Sequence, residues 1–163
     1  MIVLVSDTSV LIDLERGGLL EVAFSCGHQL VVPDLLYVLE LEPENGPLLK
    51  AMGLQVVELT AEEVAFAQAA QSTAPTLSFP DCFAPSCARR PQHMLVTDDM
   101  ALRRKAVEVA VPCRGLLWLL DEMKARGAIA AISLAEGLER IAAHPRCRLP
   151  KVEVQMRIKK WRP

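Results

Sequence analysis

No two cysteines in this sequence have the C-x-x-C spacing, and Cys26 and His28 are isolated from the other cysteines. That absence excludes the ordinary structural zinc sites. The five cysteines present, at positions 26, 82, 87, 113 and 147, are odd in number and irregularly spaced among core-like residues. They exclude a disulfide framework and fit buried thiols in a reducing, cytoplasmic compartment. Nowhere does the chain hold roughly 18 consecutive apolar residues. Its N-terminal apolar run is cut at Ser6 and Asp7 with no basic segment before it. The expectation is a chain neither exported nor embedded in a membrane. Internal repeats, low-complexity tracts and flexible linkers are also missing. With 163 residues, 52% of them hydrophobic, the chain suits one domain over 1–163 with a substantial core.

Basic residues are scarce until the end. Residues 1–139 hold 10 Lys/Arg against 19 Asp/Glu, a net of −9, whereas residues 140–163 hold 8 against 1, a net of +7. Such asymmetry implies an anionic partner for the tail, a tail docked on its own acidic body, or a tail that stays solvated. Arg157, Lys159 and Lys160, in the densest basic stretch, are the candidates for nucleic-acid contact.

What is present in quantity is a strand–helix rhythm. Short β-branched runs, IVLVS, QLVVP, LQVVEL, MLVTDD and AVPCRG, alternate with helix-length segments such as TAEEVAFAQAAQ and ALRRKAVEV. Strands that are apolar throughout, instead of alternating, predict an α/β fold with a central parallel sheet covered on both faces. That α/β core is expected over 1–127, with a helical appendage over 128–163. There ISLAEGLERIAAH and VEVQMRIKKW read as two helices joined by PRCRLP, the first capped by Ser133 with Glu136 completing a capping box.

Acids fall where strands should end. Asp7 closes the first strand and Asp98 and Asp99 close MLVT, while Asp81 opens the helix leading into that strand. Ligands of open parallel sheets bind outside the carboxyl ends of the strands, where strand order switches. If the first strand and MLVT are neighbours, these carboxylates share a cleft, and crowded carboxylates call for a hard cation, Mg²⁺ or Mn²⁺. Taken one at a time, the same acids read as helix caps: Asp7 for its own helix, Ser78 with Asp81 as a capping box, and Asp98 or Thr97 for ALRRKAVEV. His28, His93 and His144 lie in unrelated segments and carry no catalytic role. Arg103, Arg104 and Lys105 fit ordinary i,i+4 pairing and solvation, and Trp118 within LLWLL fits burial.

DTSVLIDL, LSxxD and LVTDDxALR together resemble the PIN domain, the fold of the VapC-type ribonuclease toxins, over residues 2 to about 120. The tail is similar to a branch of bacterial PIN-like proteins. The resemblance implies a three-layer α/β/α, PIN-like fold with extra C-terminal helices. It implies that Asp7, Asp81 and Asp99 hold one or two Mg²⁺ or Mn²⁺ ions, with Ser9, Thr97 and Asp98 lining the site. The implied activity is hydrolysis of RNA by metal-activated water, and the implied partners are RNA, a small antitoxin and a second copy of the chain.

Two positions depart from the family pattern. Its remaining acid is a Glu about five or six residues beyond a proline like Pro33, where this chain has Val38 and Leu39. At about 100° per residue, Glu40 lies some 160° from Val38 on a regular helix and Glu42 lies on Val38's face just before Pro43. Glu40 is taken as the fourth catalytic acid. The other departure is Pro85, which should kink or end the helix after Asp81. A catalytically decayed PIN-like module that binds protein or RNA is the alternative function. Phosphorylation of Asp7, as in aspartyl phosphotransferases, is disfavoured because Asp7-Thr8-Ser9 lacks an acid two residues on.

Overall fold

The computed structural model describes residues 2–163. Five parallel strands form one sheet in the order β3-β2-β1-β4-β5. They are β1 (Val3–Ser6), β2 (Gln29–Pro33), β3 (Gln55–Val57), β4 (His93–Val96) and β5 (Cys113–Arg114). All five coincide with the apolar runs read from the sequence. Past its first residue each of the two central strands β1 and β2 is buried, as a parallel sheet covered on both faces requires.

Helices α1 (Thr8–Arg16), α2 (Leu20–Ser25), α8 (Leu116–Ala125) and α9 (Ala131–Ala143) pack with one another. Helices α3 (Asp34–Leu36), α5 (Ala61–Ser72), α6 (Phe83–Cys87) and α7 (Met100–Glu108) form a second group around α6. The short α4 (Gly46–Met52) joins α2, and α10 (Lys151–Trp161) lies along α9. The architecture is the three-layer α/β/α sandwich. The chain runs from β1 outward to β2 and β3 and then returns to β4 on the other side of β1. The strand order therefore switches between β1 and β4, where Ser6 is paired with Val96.

Local chemistry explains several boundaries. Asp7 is the N-cap of α1 and Asp99 that of α7; the cap of α7 is thus Asp99, not Asp98 or Thr97. Thr60 and Glu63 form a reciprocal capping box at α5. The helix expected over DLLYVLEL begins as α3 but continues as a π-helical turn, Tyr37–Leu41, in which the Glu42 N–H reaches the Tyr37 carbonyl at 2.7 Å. A π turn accommodates one extra residue. Val38 and Leu39 consequently lie on the outside, 52% and 57% exposed.

Pro85 causes no kink within a helix. The break falls earlier, where a 3₁₀ turn (Pro80–Cys82) hands over to α6, and Pro85 sits in the first turn of α6, where a backbone N–H has no intrahelical partner to lose.

α9 starts two residues before Ser133, at Ala131, and has no side-chain cap; the Ser133–Glu136 capping box does not form. Packing fixes this helix instead. Leu134, Ala135, Leu138 and Ile141 are fully buried, and each such leucine is worth roughly 1.5–3 kcal/mol, more than a cap at roughly 1 kcal/mol. The approach of α9 to the end of α1 depends on two glycines. A Cβ on Gly137 would lie 3.0 Å from the Gly17 carbonyl oxygen and from both Leu19 methyls, and one on Gly17 would lie 2.8 Å from Ile141. Arg140 Nη2 donates to the same Gly17 carbonyl at 2.7 Å.

All five cysteines are free, with Cys26, Cys82 and Cys87 buried. Among the described residues, no helix is long and apolar enough to cross a membrane.

Candidate active site

Because β1 and β4 are adjacent and in register, the residues that follow them, Asp7 and Thr97, meet at the carboxyl edge of the sheet. Asp7 is buried. Its Oδ1 accepts the Val10 N–H at 3.0 Å, and the Ser9 hydroxyl lies 3.0 Å from both carboxylate oxygens. The Thr97 hydroxyl donates to Oδ2 and itself accepts the Asp99 N–H at 3.1 Å. Asp99 in turn accepts the Leu102 N–H at 3.0 Å. One buried threonine hydroxyl therefore ties the two strand-end acids together.

Glu40 reaches this place from the π turn. Thr8, the first residue of α1, donates its hydroxyl to Glu40 Oε2 at 2.8 Å. Glu40, Asp7, Asp81 and Asp99, with Thr8 and Ser9, line a single cavity of about 230 Å³. The extra residue of the π turn is what turns position 40, and not 38 or 39, toward Asp7. Asp81 lines the cavity while capping its own turn: its Oδ2 accepts the Ser78 N–H at 2.8 Å, and its N–H donates to Ser78 Oγ at 3.2 Å.

Asp98 points elsewhere. Its Oδ1 accepts from Arg103 Nη2 at 3.2 Å and its Oδ2 from the Leu116 N–H at 3.0 Å, so it anchors the start of α8 to the end of β4. Arg103 also donates from Nε to the Thr97 carbonyl at 3.0 Å. A Cβ at Gly115 would collide with Arg103 Nη2 and Asp98 Oδ1, so a side chain there would have to displace the Arg103–Asp98 pair. Thr8, Arg103 and Gly115 were not singled out as site residues from the sequence, since each matters through a partner distant in the chain.

Four carboxylates line the cavity and no Lys or Arg does. Burial without a counter-charge, with help from the negative charge of Asp98, raises the Asp7 pKa from 3.8 to about 6, although the hydrogen bonds from Thr97, Val10 and Ser9 pull it down. The donor set of carboxylates and hydroxyls has the chemistry that Mg²⁺ or Mn²⁺ prefers. Among the described residues, however, no three His, Cys, Asp or Glu side chains stand close enough together to hold one ion in these positions. Asp7, Asp81 and Asp99 each direct an oxygen at a nearby backbone N–H, and binding an ion requires them to turn.

The family model DUF3368, a PIN domain, matches residues 3–163. The chain belongs to the PIN-domain family. The match includes both C-terminal helices as well as the sheet. PIN domains are generally nucleases and usually use divalent metals, so the family and the acid-lined cavity at the strand switch point agree on a nuclease-type fold. Curated proteins gave no match.

The C-terminal cations divide into two groups. Arg157 is bound to Asp121, with Nε and Nη2 at 3.0 and 2.7 Å from its two carboxylate oxygens, and Arg162 pairs with Glu139 at 2.9 Å. The tail thus docks in part on the molecule's own acids. Lys159 and Lys160 are exposed, and Lys160 lines a hollow with Asp121 and Lys124 that holds none of the four acids. Arg146 and Arg148, between α9 and α10, are exposed and line a depression shared with Asp98 and Asp99.

Proposed function

We propose that this PIN-domain protein is a divalent-metal-dependent ribonuclease of the VapC toxin type, hydrolysing RNA phosphodiester bonds. The observation that carries the reading is the meeting of Asp7, Glu40, Asp81 and Asp99, from four separate elements, in one cavity free of basic side chains at the switch point of the sheet. Mg²⁺ or Mn²⁺ would be held by Asp7, Asp99 and Asp81. Such an ion supplies Lewis acidity toward phosphate and water oxygens.

The chain's own groups do the rest. Ser9 and Thr97 hold the Asp7 carboxylate at the carboxyl edge of the sheet, and both hydroxyls must yield as it turns to a cation. Thr97 couples that orientation to Asp99. Thr8 occupies Oε2 of Glu40, leaving Oε1 free to accept the proton of an attacking water, the part of a general base. Asp98, engaged by Arg103 and the start of α8, positions the β4 end and takes no proton.

Exposed Val38 and Leu39 beside the Glu40 turn support the further expectation that a small antitoxin protein covers the site or that two copies of the chain meet there.

The deciding experiment is cleavage of single-stranded RNA by purified protein in Mn²⁺, in Mg²⁺ and in EDTA, with Asp99→Asn alongside. Cleavage that needs the metal and is lost in the variant supports the proposal; none in any divalent ion overturns it. In that case a second reading takes over, a decayed PIN-like module that binds without cutting. It is favoured by the commitment of Asp7, Asp81 and Asp99 to nearby backbone N–H groups.

A further inference from the structure

Three depressions along the carboxyl edge of the sheet share their walls. The acid cavity and a hollow of about 220 Å³ have Ser9, Ile12 and Asp99 in common. That hollow and a larger one of about 590 Å³ have Asp98, Asp99 and Arg148 in common. The result is a trough that begins at Glu40 and Asp81, crosses Asp99 and continues past Arg148. Its character changes along the way, from carboxylates without cations to a stretch rich in arginine.

Not all of those arginines are free. Arg16 pairs with Asp13, Arg103 with Asp98 and Arg157 with Asp121. Arg146 and Arg148 are different: among the described residues, neither side chain donates a hydrogen bond or joins an ion pair. The segment that carries them is nonetheless fixed in place, because Leu149 is buried and the neighbouring Cys147 N–H bonds the His144 carbonyl at 3.0 Å. Two unpaired guanidinium groups held beside an acidic cavity suit a ligand with regularly spaced anions. Exposed apolar side chains, Ile12 (40%) and Met100 (64%), flank Asp99 in the same trough, as surfaces for unstacked bases.

We propose that Arg146 and Arg148 hold successive phosphates of a single RNA strand lying in this trough, with the phosphodiester next along seated over Asp99 in the acid cavity. Guanidinium groups bind phosphate bidentately. Set beside the carboxylates, and not among them, they offset the repulsion a polyanion meets on approaching the site. The substrate is thus a single strand gripped by the α9–α10 junction, and the grip does not come from the terminal cations Lys159 and Lys160. This inference rests on the nucleic-acid reading of the acid cavity, and adds to it the direction in which the strand leaves the site.

The test is binding of a short, fluorescently labelled single-stranded oligoribonucleotide to the full chain in EDTA, measured by anisotropy across a salt series. Arg146→Gln/Arg148→Gln should weaken binding tenfold or more at low salt. It should also flatten the slope of log K against log salt by about 1.4, two single-strand contacts at roughly 0.7 each. Both side chains are exposed and unpaired, so the melting temperature should hold, which is checked in the same samples. Lys159→Gln/Lys160→Gln should change affinity less than twofold.

Unchanged affinity and slope in the arginine variant overturn the proposal, and this is also the outcome if those arginines serve an acidic protein partner. An equal loss in the lysine variant overturns it as well. Because binding is read without metal, the two readings fail separately. A wild type that cuts RNA while the arginine variant binds normally sinks only the trough; a wild type that never cuts, with binding lost in the variant, sinks only the nuclease.

Discussion

Replacing Asp7 by Asn should make the metal-free protein more stable at neutral pH, although it removes a residue at the centre of the site. Burial lifts the Asp7 carboxyl from 3.8 to about 6, so the folded state binds the proton more tightly than the unfolded chain does. Stability from this group is complete below about pH 3.8, falls as the pH climbs to about 6, and stays low above it. At about 1.36 kcal/mol per unit, the wild type gives up roughly 3 kcal/mol across that window. Asn has no such loss and is as good an N-cap, so the Val10 N–H remains satisfied. Its Nδ2 cannot accept from Thr97, and the rotated hydroxyl forfeits about 1 kcal/mol. The net gain is about 1–2 kcal/mol, or roughly 3–6 °C in a chain of this size. Thermal melts of both proteins in EDTA from pH 4 to 8 should show the advantage absent at pH 4 and fully open by pH 7. Mn²⁺ at a hundred times its dissociation constant should then raise the wild type alone, by about 2.7 kcal/mol. A variant less stable than wild type at pH 7.5, or a difference that does not change with pH, refutes the claim that the Asp7 charge is uncompensated.

Glu40→Gln should lower metal-dependent RNA cleavage at least tenfold while Val38→Glu leaves it unchanged, because Val38 lies on the outer side of the π turn; a gain in Val38→Glu would mean the turn is not π-helical. Gly115→Ala must push Arg103 and Asp98 apart and should destabilise by about 1–3 kcal/mol, read as a lower denaturation midpoint, with no effect expected if the start of α8 tolerates a shift. Gly137→Leu should destabilise by a similar amount or more, since α9 cannot approach α1 with a side chain there, and urea melts measure it. Glu63 behaves oppositely to Asp7: its carboxylate, gripped by Arg90 at 2.7 Å, titrates near 2 instead of 4.5. Its contribution is therefore present above about pH 4.5 and lost as the pH falls toward 2, so Glu63→Gln should cost most at neutral pH and progressively less in acid melts.

The sequence by itself determined the five strands, the parallel sheet and the acids at strand ends. These are local features: apolar β-branched runs do not tolerate water on either face, and an acid after a strand offers the next helix an acceptor, although the fold decided that Asp99, and not Asp98 or Thr97, caps α7. The PIN motifs were legible for the same reason, being contiguous stretches around strand ends. Ser133 and Glu136 show where local chemistry is overruled. Their capping box is sound as a pattern, yet the side chains of Leu134, Ala135, Leu138 and Ile141 that α9 buries outweigh a cap and start the helix earlier.

Only the tertiary structure decided which glutamate faces Asp7. On a regular helix Glu40 points away from the position where the acid is expected, and the single extra residue of a π turn, invisible to periodicity, brings it round. The same holds for Arg146 and Arg148. In the chain they are two cations in a turn, less conspicuous than Lys159 and Lys160. They reach the rim of the acid cavity because Gly17 and Gly137 allow α9 to pack against the end of α1. A contact between segments so distant in sequence leaves no local periodicity or spacing to read, and its cause is the packing of one helix on another.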